Sequence, residues 1–136
     1  MHKITAIIPT KNEAVHIEAV LASVAWCDEI LVVDSFSTDN TVELAKKYTS
    51  RVIESEYINS ASQKNRAIPQ AAHEWILLVD ADELVTPELK NEIQELLKQD
   101  NIPHDAYWIY RKNYFMGKEV KYSGWQRDKV IRFFKR

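Results

Sequence analysis

A chain of 136 residues with 46% apolar and 28% charged residues is one globular domain or part of one, long enough for a real core and too apolar for a disordered polymer. Its net charge of −2 conceals a division: residues 1–103 hold 9 Lys/Arg against 17 Asp/Glu (−8), and residues 104–136 hold 9 against 3 (+6). The longest apolar runs are five residues, too short to span a bilayer, and two glycines and one cysteine exclude a Gly-rich phosphate loop, a disulfide framework and a Cys-based zinc site.

In chain order, Ile4 to Pro9 predicts a short buried strand closed by proline. A helix is expected over residues 14–25, because Ile17, Val20, Leu21 and Val24 recur at i, i+3, i+4 and i+7; Asn12 or Thr10 is placed to cap it. Glu29 to Val33 is a second strand. The cap-rich loop Asp34 to Asn40 follows, then a helix over 41–48 and a third strand from Arg51 to Ser55. Residues 60–72 read as a helix that Pro69 kinks or ends, and Trp75 to Val79 as a fully buried fourth strand. Thr86 is a natural N-cap, with Pro87 at the first helical position, Glu88 in the first turn, and Leu89, Ile93, Leu96 and Leu97 as the apolar stripe. Beyond Pro103 the period changes to two, over residues 106–112, 116–122 around Gly117, and 129–135, which predicts antiparallel strands. Successive β-α steps imply an α/β fold, Rossmann-like, with a mostly parallel sheet, helices on both faces, and a C-terminal antiparallel part.

Ligands of such sheets bind beyond the carboxyl ends of the strands. Three loops meet that rule: Pro9 to Glu13, Asp34 to Asp39, and Asp80 to Glu83. Packed carboxylates repel unless a cation neutralises them, and oxygen ligands suit Mg²⁺ or Mn²⁺ carrying substrate phosphates. Asp34, Asp80 and Asp82 are therefore expected to converge on one hollow around a metal and a diphosphate. The plainer reading is that these acids cap helices and face water, Asp39 above all. Lys64 and Arg66, on the third helical stretch, are placed to neutralise phosphate or simply to line an exposed helix face. The four histidines show no zinc spacing. In the tail, Gly124-Trp125-Gln126-Arg127-Asp128 reads either as a sugar-stacking cluster or as a turn around a core Trp. The tail's positive charge fits an anionic partner (phospholipid headgroups, a phosphorylated glycan or nucleic acid) or a solvated face. No nucleic-acid-binding motif is recognisable, so nucleic acid is not expected as a partner. The single Cys27 fits a reducing cytoplasm, and Met1-His2-Lys3 running straight into a strand is no signal peptide.

Four segments in order carry a resemblance: Ile7 to Glu13 (IIPTKNE), Val32 to Thr41 (VVDSFSTDNT), Gln63-Lys64-Asn65, and Leu78 to Glu83 (LVDADE). Together they resemble the signature of family 2 glycosyltransferases with the GT-A fold. Ser23 to Trp26, Phe115 to Gly117, Gly124 to Asp128 and Val130 to Phe134 add similarity to the bacterial lipopolysaccharide-core β-1,4-glucosyltransferase group. That resemblance implies inverting transfer of a sugar, glucose first, from a UDP-sugar to a lipopolysaccharide-core or related glycan acceptor. It implies that Pro9, Thr10 and Glu13 flank the nucleoside, that Asp34 accepts from the uracil, and that Lys64 lies near base and diphosphate. Asp80 would approach the ribose or the metal, and Asp82 would ligate Mn²⁺ or Mg²⁺. Residues 1–103 would be the nucleotide-sugar-binding half and 104–136 the start of the acceptor side, whose charge suits a lipid-linked acceptor at the inner face of the cytoplasmic membrane.

Members of that group continue well beyond the position of Arg136, with a further metal ligand and much of the acceptor cleft, so the chain reads as truncated. Asp128 is the tail carboxylate available as catalytic base. An unfinished sheet edge invites pairing into a homodimer. Two other classes fit part of the pattern: a nucleotide- or glycan-binding module without turnover, and a haloacid-dehalogenase-type phosphohydrolase with Asp80 as nucleophile.

Overall fold

The computed structural model describes residues 1–57, 59–110, 113–115, 118–120 and 129–136. Its strands are β1 (Ile4–Thr10), β2 (Glu29–Asp34), β3 (Val52–Glu54), β4 (Trp75–Leu78), β5 (Ala106–Tyr110), β6 (Asn113–Phe115), β7 (Lys118–Val120) and β8 (Lys129–Lys135). Its helices are α1 (Ile17–Ser23), α2 (Thr41–Ala45), α3 (Ser60–Ala67) and α4 (Pro87–Leu97).

Six strands form one sheet in the order β3-β2-β1-β4-β8-β5, with β1 to β4 parallel and β8 antiparallel to both β4 and β5. β6 and β7 pair separately as an antiparallel ladder, where the sequence predicts one strand over 116–122. Alternation along β1 divides the core as a two-sided sheet requires. Ile4, Ala6 and Ile8 pack with Ile17, Val20 and Leu21 of α1, Ala45 of α2, and Ile93 and Leu97 of α4. Ile7 faces the other side with Leu31, Val33, Ile76 and Ala67 of α3. Helices thus cover both faces, as the β-α order predicts. Phe133 of β8 is buried between Trp75, with ring centroids 5.0 Å apart, and Tyr107 at 5.6 Å, which pins the antiparallel strands onto the parallel ones.

Pro69 ends α3 as expected, and a 3-10 turn over Ile68–Gln70 takes the chain out. Thr86 caps α4, its side chain accepting from the Leu89 N–H at 3.2 Å, with Pro87 at the first position. The first two helices are shorter than predicted. α1 starts at Ile17 because neither Thr10 nor Asn12 caps it; His16 stands at the N-cap without a side-chain bond, and Glu13 to His16 form a turn. Thr10 is bonded instead to Asp34 at the end of β2, and Asn12 to Thr38 in the loop after it. α2 stops at Ala45, where the Lys47 and Tyr48 N–H groups turn back to the Leu44 and Ala45 carbonyls.

Candidate functional site

The chain steps outward from β1 through β2 to β3, then returns to β4 on the other side of β1. This reversal opens a crevice beyond the carboxyl ends of β1 and β4, where α/β sheets place their ligands.

The loops after β1 and β2 are stapled together at that edge. Asp34 is 1% exposed. Its Oδ1 accepts from the hydroxyls of Thr10 (2.8 Å) and Ser37 (2.6 Å), and its Oδ2 accepts from the Ser37 N–H at 2.8 Å. Asn12 donates its N–H to Ser37 Oγ at 2.8 Å and accepts from the Thr38 N–H at 2.7 Å. Glu13 donates its N–H to Thr41 Oγ1 at 2.9 Å, and its carboxylate lies 3.4 Å from His16 Nδ1. Asp39 accepts from the N–H groups of Thr41 (3.0 Å) and Ala14 (3.2 Å) and from the Thr41 hydroxyl. The Thr41 hydroxyl, ahead of these backbone donors, holds the Asp39 carboxyl below its usual range. Asn12 and Phe36 both take left-handed backbone, at φ 51° and 54°, and the Phe36 ring is 54% exposed. Such geometry is unusual for a bulky side chain and is held here by the bonds flanking it.

The turn after β4 is built differently. The Glu83 N–H donates to the Asp80 carbonyl at 3.0 Å, and Glu83 Oε1 accepts the Asp80 N–H at 2.9 Å. Arg132, reaching across from β8, donates Nη1 to Glu83 Oε1 at 2.6 Å and to the Leu78 carbonyl at 3.2 Å. Its Nη2 meets Asp80 Oδ2 at 3.2 Å and Glu83 Oε2 at 3.4 Å. The Asp82 side chain is half-buried and has no hydrogen-bond or ionic partner among the described residues. Of the acids at the ends of β2 and β4, Asp82 is thus the one with both oxygens unengaged among the described residues, while Asp80 is held through Oδ2 alone, and hard divalent cations take such oxygens.

Asp34, Asp80 and Asp82 do not form the shared cation cluster that their placement predicts. Among the described residues no three His, Cys, Asp or Glu side chains could hold a metal together. The cause is local: Thr10 and Ser37 occupy Asp34, and Arg132 supplies the positive charge beside Asp80. Pro9 and Lys64 are half-buried, and Lys64 makes no side-chain contact of this kind among the described residues. Arg66 is exposed and donates Nη1 to Ser55 Oγ at 2.9 Å and to the Glu56 carbonyl at 3.0 Å. Asp128 and the Gly124 to Arg127 cluster lie outside the described residues.

Two side chains inside the resembling segments gain partners that only the structure shows. Gln63 is buried, donating to the Val33 carbonyl (3.2 Å) and to Ser35 Oγ (2.7 Å), so it ties α3 to the end of β2. Arg132 is the other; it lies in the resembling segment Val130 to Phe134, whose pattern places it in an apolar strand but names no partner for it. At the opposite, amino edge a hollow of about 390 Å³ is lined by Cys27, Asp28, Glu29 and Arg51 among others. Its charged groups are paired, with Arg51 bonded to Glu29 at 2.7 Å and Asp28 accepting the Ile4 N–H at 2.9 Å, and burial, ahead of the Asp28 charge, pushes the Cys27 thiol up. That hollow reads as structural.

Residues 5–135 match the family described as Glycosyl transferase family 2. The chain belongs to it. Membership in glycosyl transferase family 2 displaces the phosphohydrolase reading of Leu78 to Asp82. An uncharacterized glycosyltransferase of Rickettsia felis is 40% identical over 112 residues, covering 82% of this chain and 39% of its own length. The lipopolysaccharide core biosynthesis glycosyltransferase LpsC of Rhizobium meliloti is 31% identical over 120 residues, covering 84% and 44%. The chain therefore spans about two fifths of the length of these family 2 relatives. The fold is GT-A: glucosyl-3-phosphoglycerate synthase of Mycobacterium tuberculosis, crystallised with Mg²⁺ and UDP, superposes with a TM-score of 0.60 at 23% identity over 73% of this chain and 41% of that one.

Proposed function

We propose that the chain forms the donor-binding part of an inverting, metal-dependent glycosyltransferase that moves glucose from UDP-glucose to a lipopolysaccharide-core or related glycan acceptor. The observation that carries this reading is the unpartnered, half-buried carboxylate of Asp82 at the β1/β4 crevice, beside an Asp80 held by Arg132. One or two carboxylates plus substrate phosphates are a common complement for Mg²⁺ or Mn²⁺, so these residues fit such an ion without a cage of protein ligands. The fold neighbour crystallised with Mg²⁺ and UDP, and the same protein with Mn²⁺ and UDP-glucose, support the donor and cation; LpsC supports the acceptor class.

In this reading Asp82, with Asp80, would hold the cation, whose charge would supply stabilisation of the nucleoside diphosphate leaving group. Pro9, Thr10 and Glu13 border the nucleoside. Asp34 sets the shape of the uracil site by fixing Thr10 and Ser37, and Lys64 approaches the diphosphate. An acceptor hydroxyl attacks the anomeric carbon in line as a carboxylate takes its proton, and Asp128 is the candidate base in the tail. Residues 1–103 form the donor half and 104–136 begin the acceptor side. Among the described residues no helix is long and apolar enough to cross a membrane, and a lipid-linked acceptor would bring the chain to the inner face of the cytoplasmic membrane from the cytoplasm. Among the described residues β3 and β5 are the edge strands of the sheet, and such edges would offer pairing sites for a second copy.

Calorimetry of UDP binding tests this reading. The affinity should be high with Mn²⁺ and fall in EDTA, and Asp82→Ala should bind with Mn²⁺ no better than the parent does in EDTA. Equal affinity of the parent protein with and without metal would overturn it.

A further inference from the structure

We propose that Arg132 and Glu83 act as a positioning pair that fixes the Asp80 to Glu83 turn so that Asp82 is presented, preformed, to the cation of the donor complex. This rests on the reading of Asp82 given above.

Four bonds define the device. The Arg132 side chain is 10% exposed, and its partners are Leu78 at the end of β4, Asp80 at the start of the turn and Glu83 at its close. Glu83 Oε1 is doubly engaged, by Arg132 Nη1 at 2.6 Å and by the Asp80 N–H at 2.9 Å. Both ends of the turn therefore converge on one carboxylate, and that carboxylate is locked by a charge-assisted bond. The two arms differ in strength. Glu83 is 15% exposed at its side chain, whereas Asp80 is 41% exposed and its contact with Arg132 is longer, at 3.2 Å. Glu83 is the fixed anchor of the arginine, and Asp80 is its more exposed outer arm.

A purely structural role explains this poorly. Replacing a buried ion pair with apolar packing is often neutral or stabilising, so stability alone gives little reason to carry a guanidinium into this sheet. Among the described residues, its side-chain partners are confined to the acid turn. The formal charges of Asp80, Asp82, Glu83 and Arg132 sum to −2 (three carboxylates, one guanidinium), which a divalent cation balances. Without Arg132 the turn would hold three carboxylates within four residues and repel itself open whenever no cation is bound. Arg132 thus keeps the empty site in its binding geometry, and the carboxyl-terminal strand becomes part of the donor site.

The test is calorimetry of Mn²⁺–UDP and of uridine on the parent chain, Glu83→Gln and Arg132→Lys, with thermal unfolding of each. Glu83→Gln keeps an acceptor for the Asp80 N–H and removes the charge that locks Arg132; Arg132→Lys keeps the charge and removes the fork. Outer-shell partners of metal ligands typically change metal affinity 10- to 100-fold, so both variants should lose about that factor in Mn²⁺–UDP affinity and keep the parent affinity for uridine. Glu83→Gln alone decides the matter if Arg132→Lys does not fold. Parent-like Mn²⁺–UDP affinity in both variants would overturn the pair's role. Loss of uridine and Mn²⁺–UDP affinity in step with falling unfolding temperature would overturn it too, in favour of a structural role. If the parent chain binds UDP equally in EDTA, the Asp82 reading fails first, and that is visible before any variant is made.

Discussion

The loop after β2 and the turn after β4 both deliver acids to the same edge of the sheet, and the two regions use them differently. Asp34 is buried, and both its oxygens are occupied by Thr10 and Ser37, so its charge is consumed in joining two loops. In the β4 turn the internal bonds fall to Glu83 and Arg132, and Asp82 is left half-buried without a partner. What marks a binding carboxylate is therefore not its residue type or its strand end but whether its lone pairs are already engaged. An acid that holds the fold should cost stability when removed, and one that awaits a ligand should cost affinity.

That contrast gives the largest expected effect. Asp34→Ala removes three hydrogen bonds, each contributing about 1 kcal/mol net, and leaves the buried Thr10 hydroxyl unpaired. Urea denaturation should show a loss of about 3 kcal/mol, whereas Asp82→Ala should stay within about 0.5 kcal/mol of the parent chain. Comparable losses in the two variants would erase the distinction. A smaller effect sharpens it beside the β4 turn: Thr86→Ala removes the cap of α4 and should lower stability by about 1 kcal/mol without altering UDP affinity, measured by the same two methods. The smallest concerns Asp39, whose pKa is depressed in the folded chain by the Thr41 hydroxyl. Its contribution to stability is present above the unfolded carboxylate pKa of about 4 and is lost as pH falls through the lower folded value. Asp39→Asn should therefore show a shallower loss of stability on acidification below about pH 4 than the parent, and an unchanged acid limb would contradict that assignment.

Much of this architecture is legible in the sequence because it follows local rules. The apolar runs at Ile4, Glu29 and Trp75 are strands, Pro69 ends a helix, and Thr86-Pro87 begins one. The starting point of α1 is not legible in the same way, since the caps that its sequence offers are taken by a loop more than twenty residues away. Asp34, Asp80 and Asp82 were recognisable as residues of the ligand edge, but their partners were not. The donors that separate their roles are Ser37, close in sequence, and Thr10 and Arg132, which only the sheet order brings near. Arg132 lies 52 residues from Asp80 and 49 from Glu83, a pairing that no short motif encodes. Gln63 lies in a resembling segment, but its partners Val33 and Ser35 are some thirty residues away and come near only through the fold.

The central claim is that Asp82 supplies an available oxygen to a cation shared with the donor's diphosphate. Electron paramagnetic resonance of Mn²⁺ measures this without requiring turnover. Titrating the chain into Mn²⁺ with UDP should extinguish the free-ion signal, while Asp82→Asn under the same conditions should leave most of it. Equal loss of signal in the two proteins, or none in the parent chain, would contradict the account.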